Sequence, residues 1–253
     1  MGAGHGHTLH YHAHSPVHRL PAHLKLLAVL SFVVLVVLTP HDEYAAFAAY
    51  LVLVLSAARL TTVPAGFLAT RMVVEVPFVV FALVLPLVAQ GQRVEVGPLT
   101  VSEPGLVAAF GLLAKATLGV LAALVLATTT EPRDLVAGLE RLRLPQQLVQ
   151  ILGFMVRYLE VVTADLHRMR VARESRGFQA RSLGAWPALA SSAGALFIRS
   201  YERGERIHLA MLSRGYTGRL PVTRRDPVTP AQWRAAAALP LLAALVLLVA
   251  VTR

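Results

Sequence analysis

The chain has 253 residues, 56% of them hydrophobic and only 15% charged, with no cysteine and a formal net charge of +10. Soluble domains carry nearer a quarter charged residues, so this is the composition of a membrane protein. The lack of cysteine excludes a disulfide framework, a thiolate metal site and a cysteine nucleophile.

The first 23 residues are polar and hold seven of the ten histidines. His10, His12 and His14 alternate, so an extended backbone puts them on one side, where a divalent ion can bridge two or three imidazoles. Such ligands suit cobalt, nickel, copper or zinc. The expectation is a weak site for such an ion in this tail. No small-residue cleavage site follows the first apolar run, which therefore reads as an uncleaved span rather than a signal peptide.

Apolar runs fall at Leu24–Leu38, Tyr44–Ala58, Met72–Ala89, Gly105–Ala127 and Ala235–Val251. A crossing needs about 20 residues, and about 17 at the short end. The first two runs, separated by "TPHDE", read as a tight hairpin. With the N-terminus inside, 21 of the 24 Lys and Arg fall on the cytoplasmic side, counting Lys25 at the mouth of the first span. That is the positive-inside pattern, and it accounts for the net charge without a nucleic-acid partner. Within the spans, Arg71 and Glu75 are four residues apart and are expected to pair on one helix face, with Pro77 loosening that helix. Lys115 has no local partner and is expected to face the bundle or another subunit, or to snorkel.

From Thr128 to Arg234 the chain is more polar. "TTTEPRDL" reads as a helix start, with Pro132 at the first position and acids in the first turn. Pro145 ends that helix and begins the next. Leu148, Ile151, Leu152, Met155, Leu159, Val162, Leu166 and Met169 then recur at the spacing of one helix face. Arg157, Glu160, Asp165, Arg168 and Arg170 lie elsewhere on it, so a long amphipathic helix rather than a span is expected. It stops at Ser175-Arg176-Gly177-Phe178. "IRSYERGERIHLAML" is again helical in pattern and stops at Ser213-Arg214-Gly215-Tyr216, 38 residues later. Between them "LGAWPALASSAGALFI" is 16 residues long and contains Pro187, which favours a helix in the interface, or packed under the spans, over a span. Gly just past a helix end and Arg in the last turn make a good stop. Two exposed guanidiniums at matched ends also suit two equivalent carboxylate-bearing sockets.

The run from "TTTEPRDLVAGLERLRLPQQLVQILGFMVRYLEVV" to "ARESRGF", with "RSYERGERIHLAMLSRGYTG" after it, closely resembles the transmembrane T component of energy-coupling factor (ECF) transporters, called EcfT or CbiQ. "SPVHRLPAHLKLLAVL" resembles the opening of the cobalt-type members. The resemblance runs from Ser15 to Gly218. It implies a non-catalytic scaffold that joins two cytoplasmic ABC-type ATPases to a substrate-capture (S) subunit in the membrane, CbiM-like in the cobalt or nickel importers, with a small accessory membrane subunit. It also implies that Arg176 and Arg214 enter grooves on the two ATPases, which bind the ATP and Mg; Gly177 and Gly215 are their helix stops.

The expected architecture is all-α and polytopic: a His-rich tail over 1–23, four transmembrane helices over 24–127, a cytoplasmic coupling domain over 128–234 and a last transmembrane helix over 235–253. The expected setting is a bacterial or archaeal cytoplasmic membrane, with cobalt or nickel as substrate and no cofactor in the chain itself. A vitamin importer of the same architecture is the alternative, then a standalone secondary transporter. An enzyme is disfavoured: no G-x-x-x-x-G-K-[ST], H-E-x-x-H or G-x-S-x-G occurs in the sequence.

Overall fold

The computed structural model describes residues 15, 17–96, 99–178, 183–218 and 227–252. The helices are α1 (Ala22–Leu38), α2 (Tyr44–Leu60), α3 (Ala65–Arg71), α4 (Val76–Val88), α5 (Glu103–Thr129), α6 (Pro132–Arg141), α7 (Gln146–Glu174), α8 (Trp186–Leu212) and α9 (Pro230–Thr252). A short antiparallel hairpin, β1 (Arg93–Val96) and β2 (Leu99–Ser102), interrupts this otherwise helical chain. Its register pairs Arg93 with Ser102 and Val96 with Leu99. The chain divides into two compact units, residues 143–226 forming one and the remainder the other.

The larger unit is a polytopic bundle. Its residues 66–88, α5 and α9 are each long and apolar enough to cross a membrane, as is α7 of the smaller unit, while α1 and α2 are apolar but only 17 residues each. Seventeen residues rise about 25 Å, the short limit for a hydrocarbon core. The core of this unit comes from α1, α2, α5 and α9, with Phe32, Val36, Tyr50, Val54, Leu118 and Ala243 all at most 2% exposed. The Phe32 and Tyr50 rings meet edge to face, centroids 5.9 Å apart. The Tyr50 hydroxyl has a partner on each side: Thr39 Oγ1 at 3.1 Å and the Ala243 carbonyl, which it donates to at 3.4 Å. A buried phenol in lipid needs such partners, since no water reaches it.

Two backbone approaches set the packing of this unit. A Cβ on Gly105, in the first turn of α5, would sit 2.8 Å from Pro86 Cα of α4. One on Gly138 of α6 would sit 2.9 Å from the backbone nitrogen of His23 in α1. Lys25, also buried, donates to the Thr129 carbonyl at 2.7 Å and to Thr130 Oγ1 at 3.2 Å. Its charge thus meets the carbonyl end of α5, where the helix dipole favours a cation.

The expected Arg71–Glu75 pair is not formed. Met72–Glu75 is a 3-10 turn between α3 and α4, because Pro77 has no N–H to give to the carbonyl four residues back. With three residues per turn, positions four apart no longer share a face. Arg71 lies over the Phe67 ring at 4.3 Å instead, and the buried Glu75 carboxylate accepts from Thr117 of α5. Lys115 faces the bundle: its ammonium donates to the Val37 carbonyl in the last turn of α1 at 2.9 Å.

The expected cytoplasmic segment 128–234 and the smaller compact unit have different limits, since α6 packs on α1 within the bundle. The smaller unit holds α7 and α8. The apolar stretch "LGAWPALASSAGALFI" and the helical run after it form one continuous helix from Trp186, with Pro187 in its first turn.

Candidate coupling site

α7 and α8 run antiparallel. As the residue number on α7 rises through 150, 165 and 173, its partner on the α8 side falls through 216, 203 and 192. Gln150 accepts from the Tyr216 hydroxyl at 2.6 Å and donates to the Gly218 carbonyl at 2.8 Å. Asp165 accepts from Arg203 at 2.9 Å, and Arg173 donates to Ser192 Oγ at 2.9 Å. The two Ser-Arg-Gly ends therefore lie at opposite ends of the pair, some 30 Å apart along helices that rise about 1.5 Å per residue.

Both ends close in the same way. The N–H of Gly177 bonds the Glu174 carbonyl and that of Phe178 reaches back to Arg173; likewise Gly215 bonds Leu212 and Tyr216 reaches Met211. This is the Schellman pattern, which needs a left-handed residue at the stop. Gly177 has φ +75° and Gly215 φ +81°, and neither has an atom within 4 Å of where a Cβ would be. Backbone handedness, rather than crowding, requires glycine at both. Ser175 and Ser213 also match, each hydroxyl donating at 3.0 Å to the carbonyl three residues back. That folds each serine hydroxyl back onto its own helix, beside an exposed arginine. Arg176 and Arg214 are exposed, and their guanidiniums have no hydrogen-bond or ion-pair partner among the described residues.

What holds the ends in place differs. Phe178 packs under the Arg173 guanidinium, 5.6 Å from ring centre to Cζ, and Arg173 is tied to α8 through Ser192. Tyr216 is tied to α7 through Gln150. Each tip is thus fastened to the other helix, and neither Gln150 nor Arg173 stands out in sequence.

Asp165 is only 8% exposed and takes two guanidiniums, Arg168 at 2.5 Å on its own helix and Arg203 across the pair. Those two hydrogen bonds, Arg168 first, hold its carboxyl below the usual carboxylate range. Apolar grooves of about 390 and 370 Å³ flank this bridge.

α7 meets the length and composition of a span, and its first eighteen residues carry only Arg157 and Glu160. Its partner does not fit that role. α8 sets Arg199, Glu202, Arg203, Glu205 and Arg206 alongside the second half of α7. α7 thus has the length and composition of a span, while the helix paired with it carries five charges over residues 199–206.

No group of three or more His, Cys, Asp or Glu able to hold a metal occurs among the described residues. His10, His12 and His14 lie outside them.

The span-length helices define a multi-pass membrane protein, and the comparisons with known proteins identify it as a transport subunit. Residues 13–224 match the CbiQ family, described as "Cobalt transport protein", and the chain belongs to that family. It is 29% identical over 218 residues to the energy-coupling factor transporter transmembrane protein EcfT of Bacillus selenitireducens, covering 81% of each chain. It is 26% identical over 228 residues to a putative fused cobalt transport protein CbiMQ of Methanocorpusculum labreanum, covering 85% of this chain and 37% of that one. An uncharacterized protein of Methanocaldococcus jannaschii is 33% identical over 102 residues, 40% of this chain and 38% of its own length. The chain is thus an ECF-type transmembrane component, and it spans less than two fifths of the two archaeal proteins.

Proposed function

We propose that this chain couples two cytoplasmic ATPases to a CbiM-like capture subunit in the membrane, for cobalt or nickel uptake. The observation that supports the reading is the matched pair of Schellman-closed tips, each ending in an exposed guanidinium with no partner among the described residues. An Arg fork suits a carboxylate bidentately, and a left-handed glycine behind it keeps the helix end blunt. The ATPases bind ATP and Mg and perform the hydrolysis; this chain supplies no catalytic group. α7 and α8 face the cytoplasm, as the distribution of basic residues favours.

Cobalt as the cargo is supported by the family description and by the relative in which a CbiM part is fused to CbiQ. The metal is selected by the capture subunit, and residues 1–14 are passive.

The test is cobalt uptake with the Arg176→Ala/Arg214→Ala double variant in vesicles holding the assembled transporter. Membrane insertion and ATP hydrolysis should persist while uptake falls to background, and each single variant should retain part of it. Wild-type uptake by the double variant would sink the coupling role. Removing residues 1–14 should change uptake less than twofold.

A further inference from the structure

The two tips are related by more than sequence. Adding 38 to a position on α7 gives its counterpart on α8: Ser175 to Ser213, Arg176 to Arg214, Gly177 to Gly215, Phe178 to Tyr216. By the same offset the counterpart of Asp165 is Arg203, and these two residues bond to each other at 2.9 Å. Residues that are each other's counterparts and touch must sit on the axis that exchanges the helices. The pair therefore has an approximate two-fold axis, and it passes through this bridge.

The flanking grooves obey the same axis. Leu166, Met169 and Arg173 line one, and their counterparts Gly204, Ile207 and Met211 line the other. Across from them, Ser192 and Leu196 correspond to Phe154 and Tyr158. With loosely filled grooves on both sides, the bridge is the central polar tie between the helices.

We infer that Asp165, held by Arg203, is the positioning residue that fixes the span between Arg176 and Arg214, so that both arginines engage a two-fold partner at once. The inference rests on the coupling role proposed above. Its force comes from bivalency. When two contacts sit at the right spacing, the second forms intramolecularly, and the gain of 10²–10⁴-fold in avidity vanishes if the geometry forbids both. A tie on the symmetry axis sets that spacing for the two tips equally. Arg168 belongs to the same device: it keeps one carboxylate oxygen occupied and leaves the other to Arg203.

The absence of native cysteine permits a direct test on the full chain. Spin labels at Ala172→Cys and Ala210→Cys, exposed counterparts near the two tips, should give a narrow distance distribution at roughly 25–30 Å, as the rise per residue requires. Asp165→Leu and Arg203→Leu should each broaden or shift it, and the double variant should do no worse than either single one. Asp165→Asn, which keeps the volume, should act in the same direction, and Arg203→Lys should retain most of the wild-type distribution.

The second readout is affinity for the ATPase subunits that co-purify with the wild-type chain. Asp165→Leu should weaken it about 100-fold. A wild-type distance distribution in Asp165→Leu, or undiminished affinity, overturns the inference. Wild-type uptake by Arg176→Ala/Arg214→Ala overturns the coupling role instead, so the two failures are told apart.

Discussion

The bundle and the two tips of the helix pair treat polar groups in opposite ways. In the bundle, Lys25, Tyr50, Glu75 and Lys115 each turn inward to a carbonyl or hydroxyl on another helix. In the pair, α8 has no buried residue, and Arg176 and Arg214 face out. Lipid offers no hydrogen bonds, so the first region must complete itself. The second is left open at its ends and along apolar faces that include Trp186, Phe197 and Tyr201, each at least 66% exposed. A scaffold needs both, a self-sufficient anchor and an unfinished surface.

Substitutions can break this contrast from either side. Tyr50→Ala should be the most damaging: it opens a void among Phe32, Thr39 and Ala243 and is expected to cost about 3 kcal/mol or more, read as a lower unfolding midpoint in detergent. Gly138→Val forces a side chain into the α1 backbone and should cost about 1–3 kcal/mol, again read in the midpoint. Gly177→Ala and Gly215→Ala meet no neighbour but impose a left-handed alanine, at about 1–2 kcal/mol each. Here the loss should appear in ATPase docking while the midpoint of the bundle stays put.

Acid should loosen the helix pair through Asp165. A carboxyl held below its usual range adds stability above the unfolded value, about 3.9, and that contribution is lost as pH falls through the folded one. The distance between labels at 172 and 210 should hold from pH 8 to pH 5 and broaden only below the ordinary carboxyl range. Smallest of all, Glu174→Ala removes an ion pair with Arg170 whose side chains are 54% and 71% exposed. It should leave docking and midpoint unchanged.

Much of this was legible in the sequence where one periodicity governed a long run. α1 and α2 begin and end within two residues of the apolar runs, and both Arg-Gly ends are helix stops as their glycines require. The sequence misleads where two local rules compete. Spacing by four predicts an Arg71–Glu75 pair, but it presumes an α-helix, and Pro77 has already tightened that turn. The hairpin at 93–102 is too short to compete with its helical neighbours. The Asp165–Arg203 bridge is invisible for another reason: it depends on the register of α7 against α8, which no local pattern in the sequence fixes. The 38-residue offset was the one available signal for it.

The meeting of α6 with α1 at Gly138 has a mechanical side. Side chains can swing and absorb a displacement; two backbones in contact cannot, and packed interiors are nearly incompressible. At Gly138 the two helices touch without a cushion, and Lys25 ties the same end of α1 to the close of α5. A load applied to α6 is therefore delivered to α1 with no free play, which makes this joint the stiff bearing of the molecule.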